Sequence, residues 1–310
     1  MSRSNLKVIY ITSSARSGST LMDLILGSSP DAVSGGELRR TVPVGCVENG
    51  ICTCRSVFSD CTFWMSVMDR WNVDPIKFYE EQRSLTRIRR AWRLYAGIGI
   101  GGGRAMRSWC RDLSSFYTAI AAISDTRCII DSSKSPMYAL ALEACPGIDL
   151  RIIHLVRDPR GVAWSLGKDQ SVNTAKGVPA YVKPQSVRKS AIEWRLANSL
   201  SERLARCLPE THQCKIQYED FVADWPSARK KIESSCGIEL IQDLKDLEVE
   251  GSIPARHMLA GNRLRQVDSI SIKSDESWKT QMPEDWRSDV ERICGKQMSR
   301  FGYQRMERGI

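Results

Sequence analysis

The stretch SSARSGST, Ser13–Thr20, joins a β-branched, apolar run to an amphipathic one. A strand, a small polar loop and a helix aim free backbone N–H groups and a helix dipole at an anion. Gly18 permits close backbone approach, and Ser17, Ser19 and Thr20 add hydroxyl donors. A nucleoside-triphosphate loop of the form GxxxxGK[ST] sets a lysine on the β- and γ-phosphates and a hydroxyl on magnesium. Here Ser19 stands in the lysine position, and Arg16 lies three residues earlier. The geometry is therefore that of an anion loop but not of an ATP site. A second stretch, RDPRGVAWS, puts Arg157 at the end of an apolar run and Ser165 eight residues on, after a turn over Asp158–Gly161. An arginine fork with a hydroxyl suits a phosphate monoester.

Elements that could position these groups alternate along the chain. Lys7–Thr12, Arg127–Asp131, Leu150–Asp158 and Cys214–Tyr218 read as strands. Helices are expected over Thr20–Leu26, Pro136–Ala144, Arg160–Lys168, Ser186–Cys207, Ala228–Ser235 and Asp285–Phe301. The pattern predicts an α/β fold, a P-loop-like core with a central parallel sheet flanked by helices. Ligands of such sheets bind beyond the carboxyl ends of the strands, where Ser13–Thr20, Ser132–Pro136 and Arg157–Gly161 all fall. Cys61–Ser124 lacks strand signals and reads as a helical insertion, broken by GIGIGGG at Gly97–Gly103. No strong linker divides residues 1–310, so a single elaborated domain is expected.

Composition narrows the function classes. A chain of 310 residues with 42% hydrophobic residues can bury a large core. The formal charge of +9 suits anionic ligands, nucleic acid or a membrane surface. No apolar run reaches transmembrane length, and the first strand begins too early to leave room for a leader, so a cytoplasmic location is expected. Eleven scattered cysteines do not make a secreted disulfide framework.

Taken together, SARSGSTLM and RDPRGVAWS resemble the two cofactor motifs of the sulfotransferases that use 3′-phosphoadenosine 5′-phosphosulfate (PAPS). SGGELRRTVP at Ser34–Pro43, IIDSSKSP at Ile129–Pro136, IQYEDFV at Ile216–Val222 and the span His257–Lys279 extend the resemblance. It is strongest to the carbohydrate and tyrosyl-protein branches and their bacterial relatives. It implies in-line attack of an acceptor hydroxyl on sulfur with release of adenosine 3′,5′-bisphosphate. A sulfuryl group carries less charge than a phosphoryl group, so no metal is expected to be required. The resemblance implies that Arg16 contacts the 5′-phosphosulfate and its bridging oxygen, with Ser17, Gly18, Ser19 and Thr20 as loop donors. Lys134 falls near the transferred group, Arg157 and Ser165 on the 3′-phosphate, and Tyr218 on the cofactor. Arg263, Arg265 and Lys273 lie where the family closes basic groups over the cofactor.

For the general base the resemblance points to Glu37, about twenty residues after the loop, in SGGELRR. Gly35 and Gly36 allow tight backbone approach there, and Arg39 and Arg40 bring positive charge. The competing reading of Glu37 is a helix-start residue. His154 sits mid-strand as a core residue would, His212 follows a loop, and His257 is a further candidate base. The acceptor is expected to be a carbohydrate, lipid or small metabolite, an anionic one if the stretch Arg83–Arg111, with eight arginines and no acidic residue, docks it. Cys46, Cys52, Cys54 and Cys61 suggest buried thiols or a disulfide more than zinc, because their spacing is not that of a ribbon and no histidine is near in sequence. The competing functions are a P-loop nucleotide kinase or hydrolase, which the absent lysine disfavours, and a basic nucleic-acid-binding protein, for which the chain carries no recognisable motif.

Overall fold

The computed structural model describes residues 5–87, 92, 103–168, 184–247, 257–266, 272 and 275–305. Its centre is β1 (Leu6–Ser13), which runs parallel to β3 (Cys128–Lys134) on one side and β4 (Ile148–Val156) on the other. A short β2 (Ala32–Ser34) flanks β3, and β5 (Gln213–Gln217) flanks β4, giving the order β2-β3-β1-β4-β5, all parallel. Both faces of such a sheet are covered, so its strands are apolar throughout rather than alternating.

Alternate side chains of β1 enter separate cores. Ile9 and Ile11 join α1 (Ser19–Leu26) and, beyond β5, α8 (Tyr218–Ala223) and α9 (Trp225–Cys236). Val8 and Tyr10 face the other side, under α2 (Thr62–Trp71), α3 (Pro75–Leu85), α4 (Arg104–Ser124) and α5 (Pro136–Glu143). There Trp64, Trp71, Trp109 and Phe116 interleave, with Trp71 and Phe116 rings 5.0 Å apart. A third core joins α6 (Pro159–Gly167), α7 (Val187–Ala205), α10 (Trp278–Gln281) and α11 (Glu284–Arg300).

Several boundaries differ from the sequence reading. β3 continues past Asp131 to Lys134, because Gly35 N–H donates to Ile130 O and Ser132 N–H to Gly36 O, each at 2.8 Å, extending the edge pairing. Tyr218 opens α8 instead of closing β5. α9 starts at Trp225, earlier than expected, because Asp224 caps it by accepting from Ser227 N–H and Pro226 fits the first turn. The expected insertion holds three described helices, α2, α3 and α4. Of its glycine-rich break only Gly103, preceding α4, is among the described residues. No described helix is long and apolar enough to cross a membrane.

Candidate active site

The loop after β1 is shaped by two left-handed residues, Arg16 (φ 62°) and Gly18 (φ 89°). Gly18 precedes the first turn of α1, and its carbonyl accepts the Met22 N–H at 3.0 Å. A Cβ on Gly18 would lie 2.4 Å from the Tyr218 ring, so the bare Cα is what lets this aromatic seat on the loop. Ser14 and Ser17 hydroxyls lie 2.7 Å apart, and Ser17, Ser19 and Thr20 are buried. Thr20 Oγ1 accepts the Asn262 N–H at 3.2 Å, tying the loop to the chain's C-terminal third. The buried Ser13 hydroxyl at the strand end has no hydrogen-bond partner.

Arg157, just past the end of β4, closes this cluster. Its Nη1 donates to Arg16 O at 2.9 Å and its Nη2 to Asp275 O at 3.1 Å, while the guanidinium lies 4.7 Å from the centre of the Tyr218 ring. Two of the five guanidinium N–H groups are thereby committed among the described residues. Trp194 Nε1 donates to Arg157 O, fixing its backbone. Gly161 is small because Trp278 and Arg157 Nε would stand 3.1 Å and 3.4 Å from any Cβ there. Ser165 lies further along α6, half-buried. A cavity of about 340 Å³ opens beside Arg157, lined also by Glu219, Trp278 and Tyr303. Arg160 serves the fold: it is buried, ion-paired with Asp158 and Glu291 at 2.7 Å and 2.8 Å, and stacked on Trp278.

Glu37 lies beyond the ends of β2 and β3. Lys134 Nζ donates to its carboxylate at 2.5 Å, and Arg40 stands 3.7 Å away. Glu37 N–H donates to Ala260 O at 3.3 Å. Gly36 (φ 67°) has no room for a side chain, since a Cβ would stand 2.8 Å from Ala260 O. Lys134 itself is left-handed (φ 67°), which turns the chain out of the strand. Arg39 N–H donates to Ser133 Oγ at 2.9 Å, stitching the glutamate loop to β3 a second time.

Two carboxylates behind this arrangement escaped the sequence reading. Asp23 of α1 accepts from Ser34 Oγ of β2 and, at 2.5 Å, from Ser132 Oγ of β3. Asp131 accepts from Ser133 N–H at 2.8 Å and from the Tyr117 hydroxyl at 2.5 Å. Complete burial pushes Asp23 up from 3.8 to about 7 and Asp131 to about 6, despite these donors. The signal in the sequence was the pair of serines in IIDSSKSP, whose hydroxyls serve buried acids.

Other expected groups fall elsewhere. Lys273 and the side chain of Arg263 lie outside the described residues, as does Arg90 of the arginine-rich stretch. Arg265 is buried and donates from Nη1 to Ile51 O and Met258 O, both at 3.2 Å, so this donor braces the cysteine-bearing loop. His154 is a core residue, hydrogen-bonded to Asn198 at 2.9 Å and lowered by burial to about 4. His257, the further candidate base, lies against cysteines. Its Nδ1 lies 3.3 Å from Cys61 Sγ and 3.7 Å from Cys52 Sγ. No histidine is near these cysteines in sequence, yet the fold brings one to them: His257 reaches them from 196 residues beyond Cys61. Cys46 stays apart, packed against the core under α2.

An anion loop after β1, a lysine–glutamate pair at β3 and an arginine after β4 converge where a ligand of a doubly flanked parallel sheet is expected. The sulfotransferase family model matches residues 9–243, and this chain belongs to that family. Among solved structures, the sulfotransferase domain from the curacin biosynthetic pathway superposes with a TM-score of 0.54 at 18% identity, over 96% of this chain and 98% of that one. The sulfotransferase domain of the Synechococcus PCC 7002 olefin synthase gives 0.54 at 19%, over 97% and 96%. These likenesses show a shared fold. No curated protein matches the chain.

Proposed function

We propose that the chain transfers a sulfuryl group from PAPS to a hydroxyl of a carbohydrate, lipid or small metabolite. The observation that carries this reading is the cluster of Arg16, Gly18, Tyr218 and Arg157, one anion loop bonded to one arginine across the ends of β1 and β4. The donor set fits a molecule with two anionic ends. Loop N–H groups, the hydroxyls of Ser17, Ser19 and Thr20, and Arg16 would hold the 5′-phosphosulfate. The other N–H groups of Arg157 and the Ser165 hydroxyl would hold the 3′-phosphate, with Tyr218 against the nucleotide. Arg265, with Arg263 and Lys273, belongs to the segment proposed to close over it.

Glu37 takes the acceptor's proton as its oxygen attacks sulfur. The bond from sulfur to the bridging oxygen breaks, and that oxygen leaves on adenosine 3′,5′-bisphosphate, its charge met by Arg16 and by Lys134. Positioning and charge stabilisation account for the chemistry. The transfer step uses no magnesium, since no Walker lysine accompanies the loop. The odd-numbered, scattered cysteines suit a reducing cytoplasm.

The test is ligand-induced stabilisation, which follows mass action. Adenosine 3′,5′-bisphosphate should raise Tm well above the shift given by AMP or ATP at equal concentration. Arg157→Ala should abolish that difference, because a charge-assisted contact contributes about 1.5–3 kcal/mol. Equal shifts with AMP, or a preference that survives in the variant, would refute the assignment.

A further inference from the structure

Four metal-ligating side chains meet outside the proposed active site. The sulfurs of Cys52, Cys54 and Cys61 and a ring nitrogen of His257 all lie within 4.8 Å of one another. The measured separations are 3.6 Å between Cys54 and Cys61 sulfurs, and 3.3 Å and 3.7 Å from His257 Nδ1 to the sulfurs of Cys61 and Cys52. A tetrahedral zinc ion with sulfur at about 2.3 Å and nitrogen at about 2.0 Å requires separations of about 3.8 Å and about 3.5 Å. These three separations are those of a Cys₃His zinc site before any metal is added, and the remaining pairs lie within 4.8 Å. We propose that Cys52, Cys54, Cys61 and His257 bind one zinc ion that clamps the loop before α2 to the segment at 257–266.

The surroundings are those of a built site. The backbone of Cys54, Ser56 and Trp64, the last in the first turn of α2, lies against the sulfurs of Cys52, Cys54 and Cys61 respectively. The turn that sets the C-x-C spacing is fixed by Cys52 N–H to Ser56 O and Arg55 N–H to Cys52 O, both 2.9 Å, with Arg55 left-handed (φ 74°). An antiparallel bridge between Ile51 and Val57 closes it. The imidazole is held by stacking on Phe63 at 4.5 Å with planes 6° apart, and Trp64 Nε1 donates to His257 O at 2.7 Å. These partners fix the orientation of the ligand as outer groups do in metal sites. Cys54 is exposed, so an ion has an entry path. Three thiolates and zinc leave one negative charge, and the buried Arg265 guanidinium, bonded to Ile51 O and Met258 O, lies beside it.

The role that follows is structural. All four ligand positions are filled by protein, which leaves zinc no open site for substrate. What the clamp positions is the strand of contacts described above. Residues just beyond His257 supply Ala260 O to Glu37 and Asn262 N–H to Thr20. The loop and this segment also exchange Thr53 N–H to Met258 O at 3.1 Å and Met258 N–H to Thr53 Oγ1 at 3.0 Å.

The chain purified without chelator should carry about one zinc per molecule, measured by elemental mass spectrometry and released by a thiol-specific mercurial. Cobalt exchanged into the wild-type chain should give thiolate-to-cobalt charge-transfer absorption and the intense visible bands of a tetrahedral site. Cys54→Ser and His257→Ala should lose most of the zinc, whereas His257→Cys, which restores a fourth ligand, should keep it. The cobalt spectrum needs only wild-type protein, so it decides the matter even if the variants fail to fold. Wild-type chain that neither carries zinc nor takes it up from a stoichiometric addition would overturn the proposal, as would a cobalt adduct lacking the thiolate band. So would a Cys54–Cys61 disulfide in protein prepared with zinc present. None of these readouts depends on sulfuryl transfer, so the zinc site and the proposed reaction stand or fall separately.

Discussion

Glu37 is held by its backbone on Ala260 O, by Lys134 and by Arg40, which leaves its carboxylate little freedom to choose another place. An alcohol is a poor nucleophile until its proton leaves, so a fixed carboxylate matters more in the transition state than in binding. Glu37→Gln keeps the size and cannot take the proton; kcat should fall by about 10²–10⁴-fold while affinity for adenosine 3′,5′-bisphosphate stays near wild type. An unchanged kcat would reduce Glu37 to a helix-start residue. The placement of Arg16, Lys134 and Arg157 at or near strand ends was legible in the sequence because charge declares itself in the polar runs that follow apolar ones. Asp23 was not, since it is an acid inside an apolar helix, and its meaning depends on two serines from other strands. His257 was not, since its partners lie at the other end of the chain.

At the scale of elements, Asp23 joins α1 to β2 and β3 through a single carboxyl group. Burial moves that group from 3.8 to about 7 in the folded chain, while the unfolded chain titrates at the ordinary value. Between those values the folded state retains a proton that the unfolded state has lost. The contribution to stability is therefore complete below about pH 4 and is lost as pH rises through about 7, by about 4 kcal/mol at most. Urea unfolding at about pH 5 and about pH 8 should show wild type losing more stability across this interval than Asp23→Asn, which lacks this one carboxyl and keeps the rest. Parallel losses in the two proteins would mean that Asp23 stays charged in the fold. The strands themselves were readable as apolar runs, but their ends were not. Ser132, Ser133 and Lys134 look like a turn and are strand because Gly36 O receives the Ser132 N–H and Lys134 pairs with Thr12 of β1. β2, three residues long, is too short to carry a pattern of its own.

On the scale of the whole molecule, the α/β class and the parallel sheet were legible from the alternation of elements, whereas the strand order was not, because pairing partners are set by crossovers and not by neighbours in sequence. That order has a consequence for the chain while it is being made. β1 is made well before the strands it pairs with, since Lys7 pairs with Cys128 and Leu6 with Ile148. β2 offers no relief, since it pairs with β3. Until β3 has emerged, Val8, Ile9, Tyr10 and Ile11 have no strand on either side, and until Val156 has emerged they lack the second, although all four are fully buried in the finished protein. Non-local parallel pairing of this sort is slow and leaves unpaired, apolar edges exposed during synthesis. Nascent chains arrested with Asp125 just outside the exit tunnel should be cut by protease within β1, and chains arrested with Gly167 outside should resist. Protection in the shorter chain would show that the helices alone can shelter the strand. The segment that leads into the Ser13–Thr20 loop is thus made before both of its neighbours and finished last, a delay written into the middle position of a single strand.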